Sequence, residues 1–222
     1  MILCLSQVVG PAQRAQIETL LAEAEFVDGA STAGWHAKLV KTNRQATASH
    51  PAARQAAAMV SAALREHAVF RAAVQPRRIA PPLLARYGTG ESYGTHVDDA
   101  LMGSDPLRSD VSVTVFLADP ESYEGGELVI EDSSGEQAFK LGAGDAIAYP
   151  ATSLHRVAPV TSGERRVAVT WVQSLVRDAA KREILFDLDT ARQQIFAREG
   201  KSPTFDLLAK SHANLLRRWA EP

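Results

Sequence analysis

Three zones of hydrophobic patterning follow one another along the chain: helical, then strand-like, then helical again. In the first zone, a short apolar run at 2–8 predicts a strand. Apolar residues at helical spacing after Pro11 predict a helix, because proline is well suited to a first helical turn. Residues 34–43 predict a second strand. The alanine-rich stretch 49–70, with Pro51 in its first turn, predicts a long helix.

The central zone, about 78–177, changes from helical spacing to alternation. In DVSVTVFLAD (110–119), apolar residues occupy every second position, as in a strand with one buried face. The runs GGELVIED, DAIAYP and RVAVTWVQS repeat the signal, separated by turns rich in glycine, serine and acidic residues. No helical pattern interrupts 108–176, which disfavours a parallel α/β fold. The zone therefore predicts a mainly β core, a sandwich or jelly roll, with helices flanking it.

The last zone, 178–222, predicts two amphipathic helices. The first ends at Gly200, and the second begins with Ser202 as its N-cap and Pro203 at its first helical position. We therefore expect an α+β organisation with a β-containing domain over 1–177 and a helical extension over 178–222. The apolar stripes of the extension favour packing on the core or on a second subunit, so homo-oligomerisation is left open.

Composition excludes several classes of protein. Of 222 residues, 45% are hydrophobic and 23% are charged, and the formal net charge is −2, so no basic field points to nucleic acid or to an anionic membrane. Cys4 is the only cysteine, which rules out an internal disulfide framework and fits a cytoplasmic protein. No secretory signal and no apolar run of about 18 residues is found, so no membrane span is expected.

The candidate chemistry begins with YGTHVDDALM (93–102). Residues i and i+2 of a strand share a face, so His96 and Asp98 can aim at one point while Asp99 points away. Among the six histidines, His155 lies in the same β-rich zone, at the start of another predicted strand. Two histidines and one carboxylate form the facial triad that suits non-haem Fe(II). On spacing alone, a zinc site and no site at all remain open.

Arg165 favours a metal site over no site. It follows His155 by ten residues, past the TSGE turn, on what we predict is the next strand of a hairpin. A planar guanidinium binds both oxygens of a carboxylate. A metal with open adjacent positions and a fixed arginine would suit a 2-oxo diacid, chelated at one end and held by the arginine at the other. Arg166 should point to the opposite face.

These motifs resemble a known family. RYGTGESYGTHVD is similar to the metal-binding stretch of Fe(II)/2-oxoglutarate dioxygenases of the prolyl 4-hydroxylase type. YEGGELVIED, GDAIAYPATSLHRVAPVTSGERRVAVTWVQS and the helical tail extend the resemblance to the bacterial PKHD-type, or PiuC-like, hydroxylases. The resemblance implies a double-stranded β-helix core, about 78–177. It also implies roles for seven residues: iron ligation by His96, Asp98 and His155, and cosubstrate contacts by Arg165, Tyr87, Trp171 and Ser112.

The resemblance further implies an oxidoreductase that uses Fe(II), 2-oxoglutarate and O₂, with L-ascorbate as a candidate reductant. It would hydroxylate a substrate while 2-oxoglutarate is converted to succinate and CO₂. The substrate is left open among a protein side chain such as proline, an amino acid, and a small siderophore-related metabolite. Two alternatives remain: a cupin-like metal enzyme that does not use 2-oxoglutarate, and a non-catalytic jelly-roll module that senses iron or a 2-oxo acid.

Overall fold

The computed structural model describes residues 1–32 and 34–221, and the described part of the chain combines antiparallel strands with five α-helices. Its helices are α1 (Pro11–Glu23), α2 (Pro51–Glu66), α3 (Ala68–Val74), α4 (Ala179–Glu199) and α5 (Pro203–Trp219). Its strands are β1 (Leu3–Leu5), β2 (Phe26–Asp28), β3 (Lys41–Thr42), β4 (Arg44–Ala46), β5 (Pro76–Ile79), β6 (Leu83–Tyr87), β7 (Ser92–His96), β8 (Leu101–Met102), β9 (Leu107–Arg108), β10 (Val111–Phe116), β11 (Tyr123–Gly125), β12 (Leu128–Asp132), β13 (Gly135–Phe139), β14 (Ala146–Pro150), β15 (His155–Val157), β16 (Val160–Gly163) and β17 (Arg165–Ser174). Within these residues, no helix has both the length and the apolar character that crossing a bilayer requires.

The strands form two main antiparallel sheets. The large sheet has eight strands in the order β1-β14-β10-β17-β6-β4-β2, with β5 also paired to β17. The small sheet has five strands in the order β13-β12-β15-β7-β3. The prediction of a jelly-roll core with flanking helices is confirmed, since non-consecutive strands lie side by side in both sheets.

The large sheet separates two hydrophobic clusters. On one face, the helices α1, α2 and α3 pack against alternate residues of β10, including Val113 and Val115. On the other face, Phe116, Ile147 and Val167 pack with residues of the small sheet. All six residues of β10 are buried because the strand is covered on both sides. The large sheet is thus the middle layer, which makes it a rigid base for side chains that project between the sheets.

The helix ends follow the expected capping chemistry in most places. The Asp178 carboxylate accepts two backbone N–H groups at the start of α4. Ser202 accepts the Phe205 N–H at the start of α5, so its predicted role as N-cap is confirmed. The long helix predicted over 49–70 is interrupted, because α2 ends at Glu66. His67 caps a new helix by accepting the Phe70 N–H on Nδ1 at 3.2 Å, which lets α3 change direction and bury Phe70.

The prediction of one strand over 34–43 is wrong. A 3₁₀ turn occupies Ala37–Val40, and only β3 follows before the chain moves to β4. Trp35 and Leu39 supplied much of the apolar, strand-like pattern, but they are 80% and 77% exposed, so that pattern does not report a buried face. β3 pairs with β7 of the small sheet and β4 pairs with β6 of the large sheet, so this segment bridges the two sheets.

Candidate metal centre

The two candidate histidines come together through strand pairing. β7 and β15 are antiparallel neighbours in the small sheet, and His96 lies directly opposite His155. Both side chains are buried, and their ring centroids are 4.3 Å apart. Cross-strand neighbours on one face are held close by the backbone ladder itself. The local fold therefore sets the distance between the two imidazoles before any metal binds.

Backbone carbonyls fix which nitrogen of each imidazole faces the centre. His96 Nδ1 lies 2.8 Å from the Gly94 carbonyl oxygen, and His155 Nδ1 lies 3.1 Å from that of Ser153. A carbonyl can only accept, so each Nδ1 carries the hydrogen and each Nε2 keeps a lone pair. This is the arrangement that metal-binding histidines use to fix tautomer and ring orientation.

Asp98 reaches the centre by a different route from the one the sequence suggested. β7 ends at His96, so Asp98 lies beyond the strand and does not share its face by simple alternation. Its Oδ2 lies 3.9 Å from His155 Nε2, and it accepts the Ser112 hydroxyl at 2.5 Å. One ligand atom from each of His96, Asp98 and His155 lies within 4.8 Å of the others, a cluster that could hold a metal ion.

The surroundings keep His96 neutral. Burial lowers its pKa to about 4, with a further lowering from His155. Tyr93 stacks on the His96 ring at a centroid distance of 3.6 Å, and Tyr149 meets the His155 ring edge-on at 5.1 Å. A neutral imidazole is the form that ligates metal, so the site suits a divalent cation at neutral pH.

Arg165 projects into the same pocket from the large sheet. It is only 1% exposed, and its guanidinium carbon lies 5.0 Å from the Tyr87 ring centroid and 5.6 Å from that of Phe116. Burial lowers its pKa, yet arginine stays charged because its ordinary value is so high. Within the described residues, its Nε and Nη1 have no hydrogen-bond acceptor. A buried cation with unused donors is costly, so the pocket fits a carboxylate ligand at this end.

The ten-residue spacing between His155 and Arg165 does not form the predicted hairpin. β15 belongs to the small sheet, β16 pairs with β11, and β17 belongs to the large sheet. The chain therefore crosses from one sheet to the other, which sets the two side chains on separate walls of one pocket. Arg166 alternates to the other face, where its Nε lies 3.9 Å from Glu164.

Gly126 has a role near Arg165 that its sequence motif did not reveal. Its φ is +68°, and a Cβ there would come within 3.0 Å of Arg165 Cδ and 2.9 Å of Val160 Cγ2. The structure shows that its missing side chain also leaves room for the buried arginine.

The other three residues with an expected cosubstrate contact, Tyr87, Trp171 and Ser112, divide into two groups. Tyr87 and Trp171 line the pocket, and Tyr87 lies directly opposite Arg165 in the pairing of β6 with β17. The Trp171 indole N–H is buried and lacks an acceptor among the described residues. Ser112 is fully buried and is absent from the pocket lining; it contacts Asp98 instead. Its position suits holding the carboxylate in place rather than contacting a cosubstrate.

Other pocket residues were missed or left ambiguous by the sequence reading. The cavity, about 90 Å³, is also lined by Tyr93, Tyr149, Lys41, Gln45 and Thr32. The stretch KTNRQ (41–45) could be read as a solvated strand end, but burial alternates along it. Lys41, Asn43 and Gln45 are buried, whereas the two residues between them are exposed. The period-two pattern of polar residues was the available signal.

Comparisons with known proteins agree with this geometry. Residues 82–173 match the 2OG-Fe(II) oxygenase superfamily, and residues 179–221 match the PKHD-type hydroxylase C-terminal domain. A PKHD-type hydroxylase of Gloeothece citriformis is 56% identical over 221 residues, covering 100% of both chains. One from Acaryochloris marina is 55% identical with the same coverage.

Solved structures show the same fold at low sequence identity. A Trichoplax adhaerens prolyl hydroxylase, in complex with a hypoxia inducible factor peptide fragment, superposes with a TM-score of 0.59 at 14% identity, covering 83% of this chain and 86% of the other. HygX from Streptomyces hygroscopicus, with nickel and 2-oxoglutarate bound, gives a TM-score of 0.56 at 16% identity, covering 79% and 84%.

The chain belongs to the PKHD-type hydroxylases of the 2OG-Fe(II) oxygenase superfamily. It is an oxidoreductase whose family uses Fe(II), 2-oxoglutarate and O₂. This assignment favours the dioxygenase hypothesis over the cupin-like enzyme and over the non-catalytic sensor. The donor set of two imidazoles and one carboxylate fits ferrous iron.

Proposed function

We propose that the chain hydroxylates a C–H bond of a primary substrate, coupled to conversion of 2-oxoglutarate and O₂ to succinate and CO₂. His96, Asp98 and His155 would hold the iron, and Arg165 would bind the far carboxylate of 2-oxoglutarate. The bound iron and cosubstrate supply the oxidising chemistry, while the chain supplies position and environment.

The observation that carries this proposal is the pairing of two features in one pocket. A two-histidine, one-carboxylate cluster lies on the small-sheet side, and a buried arginine with unused donors lies on the large-sheet side. A zinc enzyme or a simple metal sensor gives the buried Arg165 no ligand. A dicarboxylate with a keto group satisfies both walls at once.

Each proposed residue has a defined task. His96 and His155 donate Nε2 lone pairs because their Nδ1–H groups are held by backbone carbonyls. The Ser112 hydroxyl orients the Asp98 carboxylate. Tyr87 and Phe116 shield the Arg165 guanidinium from water, which strengthens its attraction for a carboxylate. The aromatic walls of Tyr93 and Tyr149 limit water around the imidazoles.

We also propose the division into a dioxygenase domain, 1–177, and a C-terminal helical extension, 178–222. Its support is that one family match ends at residue 173 and a second begins at residue 179. The extension is tied to the core at its far end, because the Glu221 N–H donates to the Leu175 carbonyl at 2.7 Å. We further propose that the protein is cytoplasmic and that L-ascorbate is the reductant that keeps the iron ferrous.

The test is succinate formation from 2-oxoglutarate by the purified chain. We expect succinate only when Fe(II) and O₂ are both present, and we expect none with Asp98→Ala or His155→Ala. Slow turnover without primary substrate is sufficient for this measurement. Oxygen-dependent activity without succinate would favour the cupin-like alternative, and iron binding without any turnover would favour the sensor.

A further inference from the structure

A second cationic side chain lies in the pocket, and the iron and the cosubstrate leave it without a task. Lys41 is 7% exposed and lines the same cavity as His96 and Arg165. Its Nζ lies 5.0 Å from the Tyr93 ring centroid and donates to Thr32 Oγ1 at 3.2 Å. Lysine is rarely buried unless it is paired, so this position calls for a partner.

Lys41 has no ion-pair partner among residues 1–32 and 34–221. Asp98 and Asp28 are the carboxylates whose charges act on it, but neither forms a salt bridge with it. The Asp98 carboxylate belongs to the three-ligand cluster and accepts the Ser112 hydroxyl. Burial lowers the pKa of Lys41 to about 8, so the ammonium form still predominates at neutral pH. A buried ammonium without a counter-ion is costly until an anion arrives.

Neighbouring groups make this corner of the pocket suitable for an oxyanion. Thr32 Oγ1 contacts Gln45 Oε1 at 2.5 Å, so the amide oxygen of Gln45 is engaged and its NH₂ group can donate elsewhere. Gln45 is buried and lines the cavity beside Lys41. An ammonium and an amide NH₂ together offer the donors that a carboxylate accepts.

The groups assigned to bind 2-oxoglutarate do not include Lys41. The far carboxylate of 2-oxoglutarate is assigned to Arg165 in β17 of the large sheet, and its other end to the metal. Lys41 lies in β3, at the edge of the small sheet, paired with Tyr93. The cavity lining also includes Trp171, Met102 and Val97, which can contact an apolar body.

We propose that Lys41, with Gln45, binds a carboxylate of the primary substrate, so that the enzyme acts on carboxylate-bearing substrates with an apolar body. This inference rests on the proposed function, because it assigns Arg165 and the metal to 2-oxoglutarate. Lys41 is thus a specificity-determining residue, and removing its charge should leave iron and 2-oxoglutarate binding intact.

The test uses a matched pair of probes: hydrocinnamate, a phenyl-substituted carboxylate, and hydrocinnamide, its uncharged amide. Each is titrated calorimetrically, without oxygen, into the chain saturated with Fe(II) and 2-oxoglutarate. We expect the wild type to prefer the acid by about tenfold or more, as a charge-assisted hydrogen bond provides. Lys41→Met should abolish the preference. Lys41→Arg should retain part of it, and Lys38→Met, which changes an exposed lysine, should retain all of it.

The affinity for 2-oxoglutarate is measured first on every sample, together with the thermal unfolding midpoint. If the wild type fails to bind 2-oxoglutarate, both this inference and the proposed function are overturned. If it binds 2-oxoglutarate but does not prefer the acid, or binds neither probe, only this inference falls. If Lys41→Met loses 2-oxoglutarate affinity as strongly as Arg165→Met, Lys41 serves the cosubstrate and the inference is wrong. If Lys41→Met does not fold, Lys41→Arg decides instead. This variant must then bind hydrocinnamate more tightly than hydrocinnamide, and equal affinities would overturn the inference.

Discussion

Residues 83–174 and residues 26–46 line one pocket, yet they differ in how their polar groups are held. In the first region, strand pairing sets His96 opposite His155, and Ser112 and the backbone orient the candidate ligands. In the second, short strands and 3₁₀ turns bring Lys41 and Gln45 to the pocket, linked through Thr32. The sheets therefore fix the candidate reaction centre, and the bridging segment adds side chains that the metal does not require.

The difference suggests a division of labour. A metal and a chelating cosubstrate need ligands within a few tenths of an ångström of their required positions, which rigid paired strands provide. A segment that joins the edges of two sheets can change its side chains without disturbing that geometry. We therefore expect variants in 83–174 to abolish the reaction, and variants in 26–46 to alter the choice of substrate.

The largest effect is expected for Asp98→Ala. The change removes the only anionic ligand, so Fe(II) affinity should fall by more than about 100-fold, beyond the loss typical of a residue that merely supports a ligand. Calorimetric titration with Fe(II) measures this. Asp99 lies outside the three-ligand cluster, so the Asp99→Ala variant should bind metal normally. Equal losses from both variants would contradict the assignment.

The next effect is expected for Arg165→Met. Loss of two charge-assisted hydrogen bonds should weaken 2-oxoglutarate binding by about 100-fold while metal binding is retained. The measurement is the 2-oxoglutarate concentration that gives half-maximal succinate formation. Arg166→Met is the matched control, because its side chain lies on the other face beside Glu164. Similar behaviour of the two variants would refute the role of Arg165.

Ser112→Ala tests whether the large sheet positions a ligand of the small-sheet side. The hydroxyl donates to Asp98, so its removal should weaken metal binding by about tenfold, as for other groups that orient metal ligands. Metal affinity is the readout, and Ser112→Thr should recover part of it. A loss of 2-oxoglutarate affinity with unchanged metal affinity would mean that Ser112 contacts the cosubstrate instead.

The smallest effect on the reaction centre is expected for Gln45→Leu. This side chain contacts Thr32 rather than the metal cluster, so Fe(II) and 2-oxoglutarate affinities should stay within about twofold of the wild type. Succinate formation without primary substrate should also persist. A collapse of 2-oxoglutarate binding in this variant would erase the distinction between the two regions.

The same two regions differ in how far the sequence could predict them. The alternation in VSVTVF predicts β10, and the resemblance of the HVD and distal histidine motifs names the candidate ligands. The pattern could not reveal that Asp98 lies past the end of β7 or that Ser112 of another strand donates to its carboxylate, because neither is encoded in the local alternation. It also mistook a crossing between sheets for a hairpin before Arg165, since both give the same spacing.

The segment 34–43 was predicted poorly for a physical reason. Its exposed Trp35 and Leu39 imitate the apolar positions of a strand, although neither is buried. The buried positions of 41–45 are polar, and hydrophobic periodicity does not register polar residues that face a pocket. Hydrophobic periodicity therefore does not identify Lys41, and its place in the pocket follows from its burial and from the cavity lining in the structure.

The most direct test of the central claim is an anaerobic titration of the metal-free chain with Fe(II) and then 2-oxoglutarate, followed by visible absorption. A chelated 2-oxo acid on ferrous iron gives a metal-to-ligand charge-transfer band. We predict that the band forms in the wild type, is absent in His155→Ala, and requires much more 2-oxoglutarate in Arg165→Met but not in Arg166→Met. Iron binding without a band, or an Arg165→Met titration that matches the wild type, would contradict the account.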